Sequence, residues 1–363
     1  MAGAGAEGTA AGGAVMEIAD LHEAIEWQAR HCEKSGAPRT ARVIRAEKAI
    51  LDTQTGLAAR MNGWQGLSLE DALPLRVAGG LHHLFLSGED RALEPVYAGL
   101  TTDQPTIDAL VARLAQRYDA RLMRWLDGPP QTNEAGRSAG VMAGLLWLAE
   151  RLGPRFELIE IGASAGINTM MARYRYDLGG VEAGPSASRM RIAPEWRGPP
   201  PPDAPVEIVS AKGCDLVPID LTDPEQALRL KAYIWADAAE RMARMEAAIE
   251  MAAMEAPDLV RMDAGEFVAR RLAAPQEAGV TRVLFHTVMW QYLPPATRAA
   301  ITAAMEQAGA AATAERPLAW IAVETNRQTF RHELRVRYWP GGAAPVMLAE
   351  AHPHAAWVRW LGG

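Results

Sequence analysis

The chain has 363 residues, 49% of them hydrophobic, so it can build one large domain or two ordinary ones around a sizeable core. Its formal net charge of -7, with no basic run to offset it, argues against nonspecific nucleic-acid binding. Two cysteines, Cys32 and Cys214, exclude a disulfide framework, and no Cys/His spacing suits zinc. No metal is expected, and a reducing cytoplasm is the expected setting.

Residues 1–15, MAGAGAEGTAAGGAV, lack the charged and leucine-rich segments of a signal peptide and read as a disordered Gly/Ala tail. From 16 to 153 the pattern is helical. Met16, Ile18, Leu21, Ile25 and Cys32 recur at helical spacing. Residues 41–60 follow Pro38, and 73–88 follow a capping box from Ser68 to Asp71. An amphipathic stretch over 106–128 ends at Gly128, and 133–153 ends at Gly153-Pro154. The longest apolar run, 139–149, is too short to span a bilayer, so no membrane association is expected.

After Pro154 short apolar runs alternate with helical stretches. Strands are predicted at 156–161, 206–211, 258–263, 282–289 and 318–324, and helices at 166–174, 224–254, 265–273 and 295–308. This alternation predicts a parallel sheet covered by helices. Two strand-like runs around Pro340-Gly341-Gly342, within 333–351, predict a closing antiparallel hairpin. Four prolines at 199–202 mark a surface loop. The expected organisation is a helical region over 16–153 followed by an α/β domain over 154–363.

The stretch ELIEIGASAGIN (157–168) carries the first functional signal. It runs from a predicted strand into two glycines four apart, with only small residues between them. Gly162 can adopt backbone conformations closed to other residues. Ala163, Ser164, Ala165 and Gly166 leave the backbone open to a ligand, and a helix starting there would offer free N–H groups and a partial positive charge. Such a turn suits a nucleotide-type ligand.

Three readings stay open for this turn. As G-x-S-x-G it matches the nucleophile elbow of serine hydrolases, with Ser164 as nucleophile and His352 or His354 available later in the chain. It also resembles the turn that binds S-adenosylmethionine in class I methyltransferases, with Glu160 two residues before Gly162, beside the methionine amino group. The third is a tight structural turn without a ligand. Its place after the first strand of the α/β domain, and the closing hairpin, favour the methyltransferase reading. On that reading Gly162, Ala163, Ser164, Gly166 and Asn168 line the cofactor.

Long stretches of the chain are similar to the bacterial family catalogued as domain of unknown function 2332. They are QTNEAGRSAG (131–140), ELIEIGASAGINTMMARYRYD (157–177), GCDLVPIDLTDPE (213–225), MDAGEF (262–267), HTVMWQYL (286–293), YWPGG (338–342) and HPHAAWVRWL (352–361). The resemblance carries no established activity; it implies a Rossmann-like, class I methyltransferase-type α/β domain behind a helical region. The family usually has Leu and Gly where this chain has Ile167 and Ala355.

In the methyltransferase scheme an acidic residue after the second strand meets the ribose hydroxyls. Asp215 follows the apolar run VEIVSA and is preferred over Glu182, which has no strand before it; a turn-capping aspartate is the alternative. Asp263, with Ala264, stands where the adenine amino group would bind, and Asp263 also fits a helix N-cap. His286 follows a predicted strand and is a candidate base, with Tyr292 and Trp290 shaping the pocket; a packed structural histidine is the alternative. Asn133, Glu134 and Arg137 share a helical face, either as a cap with an exposed ion pair or as a lid contributing polar contacts to substrate. The expectation is S-adenosylmethionine-dependent methyl transfer to a small-molecule acceptor. The alternatives are a non-catalytic ligand-binding protein of the same fold and a Ser164 hydrolase.

Overall fold

The structure is a computed structural model and describes residues 20–66, 71–329 and 331–362. The tail at 1–15, Met16 and Ile18, and the Ser68 end of the capping box lie outside these residues. The chain forms two compact units. One comprises the residues up to Leu81 with Ala92–Pro129, and the other His82–Arg91 with Pro130–Gly363.

The first unit is helical. Its main helices are Leu21–Lys34, Pro38–Ala46, Gly56–Asn62, most of Leu73–Leu86, and Gln104–Arg117. Three of these helices start at side-chain caps. Asp20 accepts from the His22 and Glu23 amides, Thr55 from Ala58, and Asp103 from Thr106. The apolar faces meet in a core that includes Ile25, Ile44, Ile50, Leu57 and Val111.

The second unit is built on a sheet of nine strands among the described residues. In chain order the strands of the unit are β1 (Arg155–Ile161), β2 (Arg175–Leu178), β3 (Val181–Ala183), β4 (Arg191–Ile192), β5 (Glu195–Arg197), β6 (Glu207–Asp215), β7 (Leu259–Arg261), β8 (Thr281–Thr287), β9 (Leu318–Thr325), β10 (His332–Trp339), β11 (Gly342–Ala351) and β12 (Trp357–Trp360). The large sheet runs β5-β12-β11-β10-β9-β8-β1-β6-β7, and β2, β3 and β4 form a small separate sheet. The stretch β7-β6-β1-β8-β9 is parallel throughout. β10 and β11 add the expected antiparallel hairpin beside β9.

β1 shows why its strand reads as an almost continuous apolar run. Phe156 and Leu158 enter one core with Val283, Phe285 and Ile321, while Ile159 and Ile161 enter another with Leu284 and Trp320. A strand covered on both faces is apolar on both, and the two exceptions in β1, Glu157 and Glu160, are hydrogen-bonded to Arg282 and Thr169. Helix Ser138–Leu152 packs against β9, β10 and β11 on the first face. Helices Ala264–Ala273 and Pro295–Ala310 cover the second through Phe267, Val268, Ile301 and Met305. Among the described residues no helix is long and apolar enough to cross a membrane.

The helix expected at 166–174 does not form. Residues 164–170 make a run of turns, followed by a single 3-10 turn at Met171–Arg173. Its backbone groups are claimed by tertiary partners: Asn133 Oδ1 accepts from the Ile167 amide at 3.0 Å, and the Tyr174 hydroxyl donates to the Ile167 carbonyl. The crossover from β1 to β6 therefore runs through these turns, the small sheet and the proline loop. The turn has no helix dipole to offer a ligand.

Candidate functional site

Five parallel strands in the chain order 3-2-1-4-5 reverse direction of progression at β1, between β6 and β8. In open α/β sheets the crevice outside the carboxyl ends of the strands at such a switch point takes the ligand. The glycine turn leaves the carboxyl end of β1 at this place. Gly162 and Gly166 have φ of +65° and +69°, and Ser164, between them, is held at +54°. The register sets Glu160 of β1 beside Gly213 of β6 and Phe285 of β8. A Cβ on Gly213 would lie 2.7 Å from the Ala163 Cβ and 2.9 Å from Thr169 Oγ1, so glycine there lets the turn fold down onto the sheet.

Glu160 is 1% exposed. Burial raises its carboxyl to about 8, the nearby Asp215 adds to the rise, and a 2.5 Å hydrogen bond from Thr169 Oγ1 only partly offsets them. Burial thus favours the protonated form of this carboxyl. Next to it stands Asn168, fully buried; its amide makes no hydrogen bond of good geometry among the described residues, although it lies close enough to Glu160 to pull that carboxyl down. The Ser164 hydroxyl is buried and unpartnered as well. Three such atoms in one turn are unusual, because buried polar groups are almost always satisfied by protein or water.

Asp215, the last residue of β6, ties the turn. Its carboxylate accepts from the Ser164 amide and from the Val217 amide, each at 2.9 Å. Asp263 caps helix Ala264–Ala273, accepting from Gly265 and Glu266 at 2.8 and 3.2 Å, and it is exposed. Ala264 is buried directly behind it. Three carboxyl groups therefore converge on the ends of β1, β6 and β7. Their mark is the Cys214 thiol, raised to about 12 by burial and then by Asp215, Glu160 and Asp263.

The side of Gly162 that a ligand backbone could approach is occupied. A Cβ at Gly162 would lie 2.7 Å from the Met289 Cε. Met289 belongs to the segment after β8, which Glu324 of β9 pins: one carboxylate oxygen accepts from the Met289 and Trp290 amides and from His286 Nδ1, the last at 2.7 Å. His286 is 1% exposed, and its Nε2 accepts from the Trp320 indole at 3.0 Å. The histidine is held as the tautomer with hydrogen on Nδ1, and both ring nitrogens are engaged. It stacks on Trp290 with ring centroids 4.9 Å apart. Tyr292, two residues on, is 75% exposed.

Asn133, Glu134 and Arg137 do not share an exposed helical face. Ala135–Arg137 is a 3-10 turn that leads into helix Ser138–Leu152, and all three side chains are buried. Asn133 holds the glycine turn through Ile167. Glu134 pairs with Arg241 at 2.7 Å and Arg244 at 2.8 Å, not with Arg137. Burial alone would raise its carboxyl, but Arg244 and Arg241 hold it below the ordinary carboxylate range. The structure thus gathers Asn133, Glu160, Ser164, Asn168 and Asp215 around one turn. His286 belongs to a packed aromatic cluster beside it.

Thr169, Met289 and Glu324 carry roles that the sequence reading missed. Glu324 alone had a signal, as a carboxylate near the carboxyl end of a predicted parallel strand. Among the described residues no group of three or more histidine, cysteine or acidic side chains could hold a metal ion. No curated protein and no solved structure matches the chain. A family model described as "uncharacterized protein conserved in bacteria (DUF2332)" matches residues 22–360, and the chain belongs to that family.

Proposed function

We propose that the protein binds S-adenosylmethionine at the carboxyl edge of the sheet and directs methyl transfer to a small-molecule acceptor. The observation that carries this reading is the buried polar set of Ser164, whose hydroxyl has no partner, and Asn168, whose amide reaches only Glu160, beside the carboxyl that burial raises to about 8. Leaving a buried polar group without a partner costs about 1–3 kcal/mol, a cost that a polar ligand relieves. The residues fit the group apart from Gly162, whose open side Met289 fills. Glu160 would meet the methionine amino group, with Asn168 and Ser164 supplying further hydrogen bonds. Asp215, at the end of β6, would take the ribose hydroxyls with the lone pairs its two backbone bonds leave free. Asp263, with Ala264 behind it, would take the adenine amino group. The parallel strand order supports the same Rossmann-like, methyltransferase-type assignment.

The cofactor supplies an electrophilic methyl group; the chain's task is to position the acceptor and exclude water. His286 serves as a positioning residue, since its hydrogen bonds to Glu324 and Trp320 leave no ring nitrogen free to act as a base. Tyr292 offers an exposed phenol at the rim.

The positive φ of Ser164 gives the hydrolase reading one point, because a nucleophile elbow is strained in this way. A hydrolase also needs a base on the hydroxyl and a helix after the elbow. Ser164 Oγ has no partner among the described residues, and no helix follows. A fluorophosphonate probe should leave Ser164 unlabelled; stoichiometric labelling would overturn the assignment in favour of hydrolysis.

Asp263→Asn tests the cofactor reading. The amide keeps an oxygen for the helix cap but places a donor against the adenine amino group. S-adenosylhomocysteine affinity should fall about tenfold to a hundredfold, with the ligand-free melting temperature nearly unchanged. A drop in melting temperature at constant affinity would leave Asp263 a cap only. Transfer of a labelled methyl group to a metabolite pool separates the enzyme from a binding protein of the same architecture.

A further inference from the structure

The two glycines of the turn are closed by different kinds of structure. A Cβ on Gly166 would meet the Pro257 Cβ at 2.7 Å and the Leu259 Cδ1 at 3.1 Å, and Leu259 belongs to β7, which pairs with β6. That side is fixed by the sheet. A Cβ on Gly162 would meet the Met289 Cε at 2.7 Å and its Cβ and Cγ at 2.9 Å. Met289 lies between β8 and helix Pro295–Ala310, just before a 3-10 turn at Trp290–Tyr292. Rotating the methionine side chain moves Cγ and Cε but leaves Cβ where it is, so a change of rotamer alone does not clear Gly162. The backbone at Met289 has to shift.

The segment around Met289 joins a strained hinge to a small set of restraints. Val288 opens it at φ +52°, a left-handed conformation that costs a β-branched residue energy. The Val288 amide donates to the Val323 carbonyl at 3.0 Å, so this residue stays tied to β9. Beyond it, the Met289 and Trp290 amides donate to Glu324 at 3.0 and 3.2 Å, and the Trp290 ring stacks on His286. The Tyr292 amide donates to the Met289 carbonyl at 2.9 Å, which makes Met289 and the 3-10 turn one unit. Pro294 caps the next helix and marks the far end. Tyr292 is 75% exposed, so the outer side of the unit meets solvent. Releasing the two amides from Glu324 frees the unit, while His286, in β8, keeps its own bond to the same carboxylate.

We infer that residues 289–293 form a latch over the glycine turn, which closes Gly162 with Met289 and swings out about Val288 to admit the methionine end of the nucleoside ligand. This rests on the S-adenosylmethionine reading and adds a conformational step to it. Glu324 is the positioning residue that holds the latch shut. The measured affinity of such a site is its intrinsic affinity reduced by the fraction of molecules whose latch is open.

The test is calorimetric titration of the full chain and two variants with S-adenosylhomocysteine. Met289→Ala removes Cγ, Sδ and Cε but keeps Cβ, and Met289→Gly removes Cβ as well; φ of -131° at this position suits both residues. Affinity should rise from wild type to alanine to glycine, by about tenfold or more across the series if the closed arrangement outnumbers the open one tenfold. Binding to all three proteins with equal affinity, or weaker binding to the variants, would overturn the latch and leave the cofactor reading standing. Absence of binding in all three would overturn the cofactor reading and the latch with it. Hydrogen exchange supplies a second readout on the wild-type protein. Saturation with S-adenosylhomocysteine should speed exchange of the Met289 and Trp290 amides, because opening takes them from Glu324. Slower or unchanged exchange at these two amides with the ligand bound would overturn the latch.

Discussion

Asn168 and Glu160 are the residues on which the account turns. Replacing Asn168 with leucine, which has a similar shape, removes a buried amide that only Glu160 approaches. The ligand-free protein should gain about 1–3 kcal/mol of stability while losing affinity for S-adenosylhomocysteine. Loss of stability without loss of affinity, measured by denaturant unfolding and titration, would mean that Asn168 is structural. Glu160 predicts a pH dependence. Its carboxyl titrates near 8 when folded and near the ordinary 4.5 when unfolded. Stability from this group is therefore fully present below about pH 4.5 and is lost as pH rises through 8, on the order of a few kcal/mol in all. Glu160→Gln should flatten the fall in melting temperature between pH 6 and 9, and parallel profiles for both proteins would contradict the protonated carboxyl. Ala355 gives a third case at this scale. The structure holds Ala355 at φ +55°, a backbone conformation that favours glycine. Ala355→Gly should raise stability by about 1 kcal/mol in the same assay.

At the scale of elements, the long strands of the large sheet, β1, β6 and β8 to β11, were legible in the sequence, and so was the short β7. β1, β8 and β9 are largely buried, with Glu157, Glu160, Arg282 and His286 interrupting their apolar runs. The strands that escaped notice, β2 to β5 and β12, have four residues or fewer and offer no period to read. The false helix at 166–174 failed for another reason. Its composition permits a helix, but Asn133, Glu160 and Tyr174 each take a group from the segment through tertiary hydrogen bonds. No local pattern in the sequence announces such competition. The TNEAGR stretch shows the same limit: its spacing suggested an ion pair between Glu134 and Arg137, whereas Glu134 is claimed by two arginines more than a hundred residues later. Glu134→Gln would leave Arg241 and Arg244 facing each other without a counter-charge. It should cost about 3–5 kcal/mol, seen as a clear drop in the chemical-denaturation midpoint. A change within experimental error would mean that the two arginines are solvated well enough alone.

For the molecule as a whole, the sequence announced alternating strands and helices but not the order in which the strands pair. That order puts β1 at the centre and brings Asp215 and Glu160, which the chain separates by an irregular crossover, to adjacent strand ends. The central claim is that this edge holds S-adenosylmethionine with Glu160 at the amino group. Binding an ammonium group there would ionise the buried carboxyl. The most direct measurement is calorimetric titration of the wild-type protein with S-adenosylhomocysteine at pH 7, in two buffers of different ionisation enthalpy. The account predicts one-site binding with the release of about one proton per ligand. Absence of binding, or binding whose heat is the same in both buffers, would contradict it.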